Sequence, residues 1–103
     1  MFAVIYRWKV KPGTEEQFQD AWRRGTKDLV RLFNSGGSRL HRASDGSWVA
    51  YAQWPTKEAR DDAFRDGPPN AAVAELQSYV LEEIEQISLE ITEDLLVAEG
   101  QLG

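Results

Sequence analysis

The stretch RLHRASDGSWVAYAQWP, residues 39–55, predicts a β-hairpin at the centre of the fold. Asp45-Gly46 is a strong hairpin signal, because both residue types tolerate the backbone conformations of a tight turn. A two-residue turn at this point places His41 opposite Ala50 on the neighbouring strand. A bulge at the turn would instead send the side chains of one strand to the other face of the sheet.

His41 is the only histidine of the chain. In the register that a two-residue turn produces, small and aromatic side chains surround it. One predicted face carries Arg39, His41, Ala43, Trp48, Ala50, Ala52 and Trp54. The other predicted face carries Leu40, Arg42, Val49, Tyr51 and Gln53. Space beside the alanines, walled by tryptophan, is typical of a ligand pocket. His41 is therefore either a reactive group in such a pocket or a strand histidine with a local hydrogen bond.

The segment before the hairpin predicts one strand and one helix. Residues 2–10 alternate between two faces with a period of two, which indicates a strand that ends at Pro12-Gly13. Thr14 is predicted to cap the helix, with Gln17 at the capping-box position. A buried stripe at helical spacing follows: Phe18, Ala21, Trp22, Gly25, Leu29, Leu32 and Phe33. A glycine on this stripe indicates close approach to a neighbouring backbone, and the run from Asn34 ends the helix.

The segment after the hairpin predicts two short helices and a last strand. Thr56 caps the first helix, which extends to about Arg65. Asn70 caps the second helix, with Val73, Leu76 and Val80 directed inward. Ile87, Leu89 and Ile91 then alternate with polar residues in the last strand.

The order strand, helix, strand, strand, helix, strand predicts an α+β fold, a ferredoxin-like split βαβ sandwich. We expect a single domain over residues 1–103, with a core over 2–93 and a C-terminal tail over 95–103. Helices cover only one face of such a sheet, yet both faces of the first strand carry apolar residues. The uncovered face therefore predicts a homodimer or a higher homo-oligomer.

Composition excludes several classes of protein. The net charge of −5 argues against a nucleic-acid partner, since phosphate binding needs clustered Lys and Arg. No apolar run is long enough to span a bilayer, so no membrane association is expected, and FAVIYRWKV is too short and too charged for a signal peptide. The absence of cysteine excludes disulfides and favours a cytoplasmic location. One histidine and no cysteine argue against a zinc or copper site, and the acidic residues from Glu82 to Asp94 predict a solvated surface.

Two segments, VIYRWKVKPGTEEQFQDAW (residues 4–22) and GSWVAYAQWPTKEARDDAF (residues 46–64), resemble the antibiotic biosynthesis monooxygenase-like superfamily of dimeric α+β barrels. The matching features are a first strand that ends in K-V-K-P-G, a Glu-rich helix start, and a third strand that ends in Trp before Thr-Lys-Glu-Ala. The resemblance covers roughly residues 2–93 and implies the fold and the dimer. Members include cofactor-independent quinol-forming monooxygenases, haem-degrading monooxygenases and isomerases, so a shared fold leaves the activity open.

Residue-by-residue comparison with the haem-degrading branch argues against haem degradation. That branch has an Asn where this chain has Tyr6, and a Trp where this chain has Ala63-Phe64. Its axial His lies in a segment that here is Asn70–Val73. Simpler members carry a His after the third strand, near Ala63 or the Pro69-Asn70 turn, which this chain also lacks.

The resemblance and the hairpin together lead to two functional hypotheses, neither of which needs a cofactor or a metal. In the first, the chain is a cofactor-independent monooxygenase of an aromatic or polycyclic small molecule. His41 is then the predicted base or oxyanion partner, with Arg39 or Tyr51 assisting. The predicted substrate-binding residues are Trp8, Trp48, Trp54, Phe64 and Tyr6. In the second, the chain is a non-catalytic dimer of the same fold that binds a small molecule or has a structural role.

Overall fold

The computed structural model describes residues 1–97, so the end of the predicted tail, 98–103, lies outside the described residues. Four strands and three helices follow in the order β1 (Phe2–Val10), α1 (Glu15–Phe33), β2 (Gly37–Arg42), β3 (Trp48–Trp54), α2 (Lys57–Ala63), α3 (Ala71–Ser78) and β4 (Val80–Glu90). The strands form one antiparallel sheet in the order β2-β3-β1-β4. This architecture confirms the predicted α+β ferredoxin-like fold.

The sheet has two unequal faces. The helix-covered face packs on a core of Phe18, Ala21, Trp48 and Leu76. Trp8 lies directly opposite Trp48 on this face, and its ring meets Phe18 edge-on at 5.7 Å between centroids. The open face carries the intervening residues of the same strands, because successive side chains of a strand point to opposite sides.

Helix α1 begins after Thr14, but the predicted capping box does not form. The Thr14 hydroxyl donates to the Lys11 carbonyl at 2.7 Å instead of accepting from the first turn of the helix. Thr14 has φ −114° and ψ 12°, whereas capping side chains usually sit on an extended residue. The predicted end of the helix is confirmed, because Asn34 adopts a left-handed conformation with φ 58°.

The close approach predicted at Gly25 is confirmed. A Cβ built on Gly25 would lie 3.0 Å from Val73 Cγ2 and 3.3 Å from the Val73 backbone nitrogen. The Asn70 side chain donates to the Gly25 carbonyl at 3.3 Å, so α3 begins beside this glycine. The last turn of α1 therefore extends past the helix that would cover it. The predicted burial of Leu32 and Phe33 is accordingly wrong, since both are exposed.

Both short helices carry the predicted caps. The Thr56 side chain accepts from the Ala59 N–H at 3.0 Å, and the Asn70 side chain accepts from the Val73 N–H at 2.8 Å. The last strand differs from the prediction at both ends, because Val80 opens β4 instead of extending α3 and Ile91 lies beyond the end of β4 at Glu90.

The predicted hairpin forms with a different register. Ala43 donates its N–H to the Ser47 carbonyl at 2.8 Å, so the loop has three residues, Ser44 to Gly46. Gly46 takes φ +86°, as a three-residue hairpin loop with a bulge requires. The Asp45 carboxylate accepts from the Ser47 N–H at 2.9 Å and from the Ser47 hydroxyl at 2.6 Å, which stabilises this longer loop.

The register moves every β2 side chain to the face opposite the predicted one. His41 pairs with Val49, and Arg39 pairs with Tyr51. The predicted grouping of His41 with Trp48 and Trp54 on one face is therefore wrong. His41 and Arg39 lie on the open face, whereas both tryptophans lie on the helix-covered face.

Candidate functional site

A cavity of about 530 Å³ lies between the helix-covered face and the three helices. Aromatic rings form much of its wall: Tyr6, Trp8, Trp22, Trp54 and Phe64. Tyr6 stacks on Trp8 with centroids 5.4 Å apart and planes within 9° of parallel. The size and the aromatic lining fit a ring-containing small molecule.

A tyrosine and an arginine form the polar centre of this cavity. Tyr6 lies in the middle of β1, and Arg60 reaches it from α2. The Tyr6 hydroxyl accepts from Arg60 Nε at 3.2 Å and from Nη2 at 2.8 Å. The Arg60 guanidinium carbon also lies 4.3 Å from the centroid of the Phe64 ring, a cation–π contact. Only 16% of the Arg60 side chain is exposed, so its charge is largely removed from bulk water.

Burial raises the pKa of the Tyr6 hydroxyl above its usual value of 10.0. The hydrogen bond and the charge of Arg60 act in the opposite direction, and the charge of Glu83 adds to the rise. Tyr6 is therefore protonated at neutral pH, as an ordinary tyrosine is. Its hydroxyl accepts from Arg60 and retains its own proton for donation.

The cavity is rich in hydrogen-bond donors. A guanidinium has five N–H groups, of which two meet Tyr6. Among residues 1–97, the only carboxylate within ion-pair distance of Arg60 belongs to Asp61, with 3.9 Å between Nη1 and Oδ1. Trp54 also lines the cavity, but its indole nitrogen is fully buried and has no hydrogen-bond partner in the described structure. The Arg60 guanidinium and the Tyr6 hydroxyl suit a ligand oxygen that carries negative charge.

The model of one protein family, antibiotic biosynthesis monooxygenase, matches residues 1–76. The chain belongs to this family. No curated protein matches the chain.

Solved structures share the fold of this family member at low sequence identity. A proposed antibiotic biosynthesis monooxygenase from Nitrosomonas europaea aligns with a TM-score of 0.74 and 15% identity, over 90% of this chain and 100% of its own. SnoaB from Streptomyces nogalater, a cofactor-independent oxygenase solved as the mutant N63A, aligns with a TM-score of 0.73 and 20% identity, over 91% and 95% of the two chains. Rv0793 from Mycobacterium tuberculosis aligns with a TM-score of 0.72 and 14% identity, over 92% and 98%.

The predicted site residues do not lie together in the structure of this family member. Four of the predicted substrate-binding residues line the helix-side cavity: Tyr6, Trp8, Trp54 and Phe64. Trp48 instead packs in the core, with its ring centroid 5.5 Å from that of Phe18.

The three predicted catalytic residues lie elsewhere. His41, Arg39 and Tyr51 line a hollow of about 510 Å³ on the open face, beside Leu96 of the tail segment. His41 is exposed, and its Nδ1 lies 3.0 Å from the Val49 carbonyl oxygen. The hairpin register separates these residues from the aromatic cavity, so one shared pocket does not form.

Sequence reasoning missed Arg60. Arg60 and Phe64 are four residues apart on a predicted helix, so they share one face of it. Ala63, also on α2, is buried in the structure, so this helix packs inward. The position of Arg60 on the same helix face as Phe64 was the available clue, but its partner Tyr6 is 54 residues away and no local pattern joins the two.

Two further features of the described chain bear on the type of site. Residues 1–97 contain no group of three or more His, Cys, Asp or Glu side chains arranged to hold a metal ion. Within the same residues, no helix has the length and apolar character needed to cross a membrane.

Proposed function

We propose that the chain is a cofactor-independent monooxygenase that acts on an aromatic or polycyclic phenol or enol in the helix-side cavity. The observation that carries this proposal is the Tyr6–Arg60 pair, a largely buried cation and a protonated hydroxyl among aromatic walls. SnoaB is a cofactor-independent oxygenase with the same fold, which supports the assignment by analogy.

The chemistry begins when the substrate loses a proton and its oxygen becomes an oxyanion. Arg60 and Tyr6 donate hydrogen bonds to that oxyanion, and the low dielectric of the cavity strengthens both interactions. The resulting carbanion reduces O₂ and combines with it to form a peroxide anion, which takes back a proton and becomes a hydroperoxide. Loss of water then converts the substrate CH₂ group into a carbonyl, so one oxygen atom enters the product and the other leaves in water.

Oxygen uptake with anthrone-type and quinol-type substrates tests the proposal. Arg60→Gln removes the charge that faces the oxyanion, and we expect kcat to fall by about 10²–10³-fold, as for other oxyanion donors. The matched control is Arg65→Gln, which removes an arginine that is exposed and pairs with Asp62. The absence of oxygen uptake by the wild type across a broad panel contradicts the proposal.

His41→Ala separates the two candidate sites. Since His41 lies outside the helix-side cavity, its removal leaves turnover unchanged if Arg60 and Tyr6 act there. If His41→Ala loses as much turnover as Arg60→Gln, the reactive group lies on the open face, where Arg39 and Tyr51 would assist His41.

The second candidate is a non-catalytic dimer that binds a small molecule. The observation that favours it is that the one residue with a side-chain pKa usually near neutrality, His41, lies away from the cavity. Binding of an aromatic ligand in the cavity without any oxygen uptake would support this alternative.

For the assembly, we propose a homodimer or a higher homo-oligomer formed through the open face. Ile5 pairs with both Tyr51 and Ile87, so these side chains form one row across the open face. All three retain exposure in the single chain, and Ile87 is 38% exposed. A second copy packed on this face would remove that apolar surface from water.

A further inference from the structure

A β-bulge in β4 determines which face carries Glu83. Arg7 of β1 pairs with Glu85, but the next residue, Trp8, pairs with Glu83. Ile84 is therefore an extra residue between the two pairs. In a regular ladder Ile84 would lie opposite Trp8, and Glu83 would point to the open face. The bulge turns Glu83 to the helix-covered face instead, and bulges of this kind commonly re-aim a side chain next to an active site.

Glu83 lines the helix-side cavity together with Arg60 and Tyr6. Its neighbour Glu82 pairs with Lys9 at 3.7 Å, but Glu83 has no ion-pair partner among the residues that the structure describes. Arg60 approaches Tyr6 from α2, whereas Glu83 belongs to β4, the strand beside Tyr6. The cavity thus holds a cation and a carboxylate that different elements keep apart.

We infer that Glu83 is the general base that takes a proton from the ligand whose oxyanion Arg60 and Tyr6 hold. This inference rests on the proposed function and assigns a further catalytic residue to it. Glu83 is exposed at the edge of the cavity, so a proton that it receives can pass to water.

Arg60 and Glu83 form no ion pair, so they suit a substrate whose oxygen and acidic C–H bond lie at different edges. In an anthrone, the carbonyl oxygen and the acidic methylene carbon lie on opposite edges of the central ring. One C–H bond of the methylene breaks and an O–H bond forms on the Glu83 carboxylate. The electron pair of the broken bond moves through the ring to the oxygen that faces Arg60. The step needs no oxidant, because all electrons stay on the ligand.

Anaerobic exchange in D₂O measures this step without oxygenation. The probe is dithranol, a dihydroxyanthrone, and NMR follows the replacement of its methylene protons by deuterium. We expect Glu83→Gln to slow enzyme-accelerated exchange by about 10²–10⁴-fold, the usual contribution of a general base. The matched control is Glu85→Gln on the same strand, since Glu85 pairs with Arg7 on the open face and should leave exchange unchanged.

Two further measurements distinguish the loss of a base from a folding defect in Glu83→Gln. Affinity for dantron, the quinone that corresponds to dithranol, should stay within about twofold in Glu83→Gln, because the quinone has no methylene proton to remove. Glu83→Asp keeps a carboxylate and should recover part of the exchange. Equal exchange rates in Glu83→Asp and Glu83→Gln would overturn the assignment.

The remaining outcomes separate this inference from the proposed function. If Glu83→Gln exchanges at the wild-type rate, the role of Glu83 is overturned while the oxygenase proposal stands. If the wild type fails to accelerate exchange and also fails to consume oxygen, both are overturned. Slow exchange in Glu83→Gln alone, with normal quinone binding, supports Glu83 as the base.

Discussion

Successive residues of each strand point alternately to the helix-covered face and to the open face, and the two faces bury their side chains to different degrees. Val4 on the helix-covered face is fully buried, whereas the next residue, Ile5 on the open face, is only partly buried. The helix-covered face gathers Tyr6 and Arg60 in a cavity beneath the helices. The open face gathers His41 in an exposed hollow. Two faces of the same sheet thus offer different chemistry, because only one of them is covered by helices.

A charge on the open face tests this difference with the largest expected effect. Ile87→Lys places an ammonium group where we expect a second copy, and the dimer should dissociate. Each apolar side chain returned to water costs roughly 1.5–3 kcal/mol, so the loss of several is enough to separate the chains. Sedimentation at micromolar concentration measures the assembly.

The control for this substitution is Val30→Lys on α1, since Val30 is 46% exposed and lies outside the sheet. A wild-type protein that sediments as a stable monomer of 11.7 kDa would contradict the proposed dimer.

Truncation of a core residue under the helix-covered face has the next largest effect. Phe18 is fully buried, and we expect Phe18→Ala to lower the free energy of unfolding by about 3–5 kcal/mol. Phe33→Ala removes the same side chain from the same helix where it is 36% exposed, and should cost much less. Denaturant unfolding of both variants gives the comparison, and equal losses would show that α1 does not pack as described.

The contact between α1 and α3 gives a smaller effect. Gly25→Ala places a methyl group 3.0 Å from Val73 Cγ2, so the two helices must separate or Val73 must move. We expect a loss of about 1–3 kcal/mol in the free energy of unfolding, even though alanine favours helices. Arg23→Ala, at an exposed position of the same helix, is the control. A more stable Gly25→Ala variant would contradict this contact.

The hairpin turn gives the smallest effect, and it depends on pH. Hydrogen bonds from the Ser47 hydroxyl and N–H, with the charge of Arg7, lower the pKa of Asp45 from 3.8 to about 2. A lowered pKa in the folded state stabilises the protein above pH 3.8, and this contribution is lost as the pH falls towards 2.

The comparison is between the thermal midpoint of the wild type and that of Asp45→Asn. Asparagine keeps an oxygen that accepts from Ser47 but removes the charge that pairs with Arg7. We expect the two midpoints to converge as the pH approaches 2. A difference that stays constant from neutral pH to pH 2 would show that the Asp45 charge does not stabilise the turn.

Local sequence patterns were enough to predict the elements whose causes are local. Alternation over residues 2–10 predicts β1, and the caps at Thr56 and Asn70 start α2 and α3 because each side chain bonds a backbone N–H three residues later. Gly25 predicts a close helix contact because only a residue without Cβ fits there. Together with the resemblance to the family, these features were sufficient to predict the fold and four of the aromatic residues that line the cavity.

The face that each polar group occupies depends instead on contacts between segments far apart in the chain. The hairpin register depends on Asp45, whose carboxylate binds Ser47 within the loop and Arg7 of β1 across the sheet. The face of Glu83 depends on the bulge at Ile84, which appears only when β4 pairs with β1. Arg60 becomes part of the candidate site only through Tyr6, 54 residues away. A shift of one residue moves a side chain to the other face of a sheet, so contacts between distant segments, and not local patterns, determine the site.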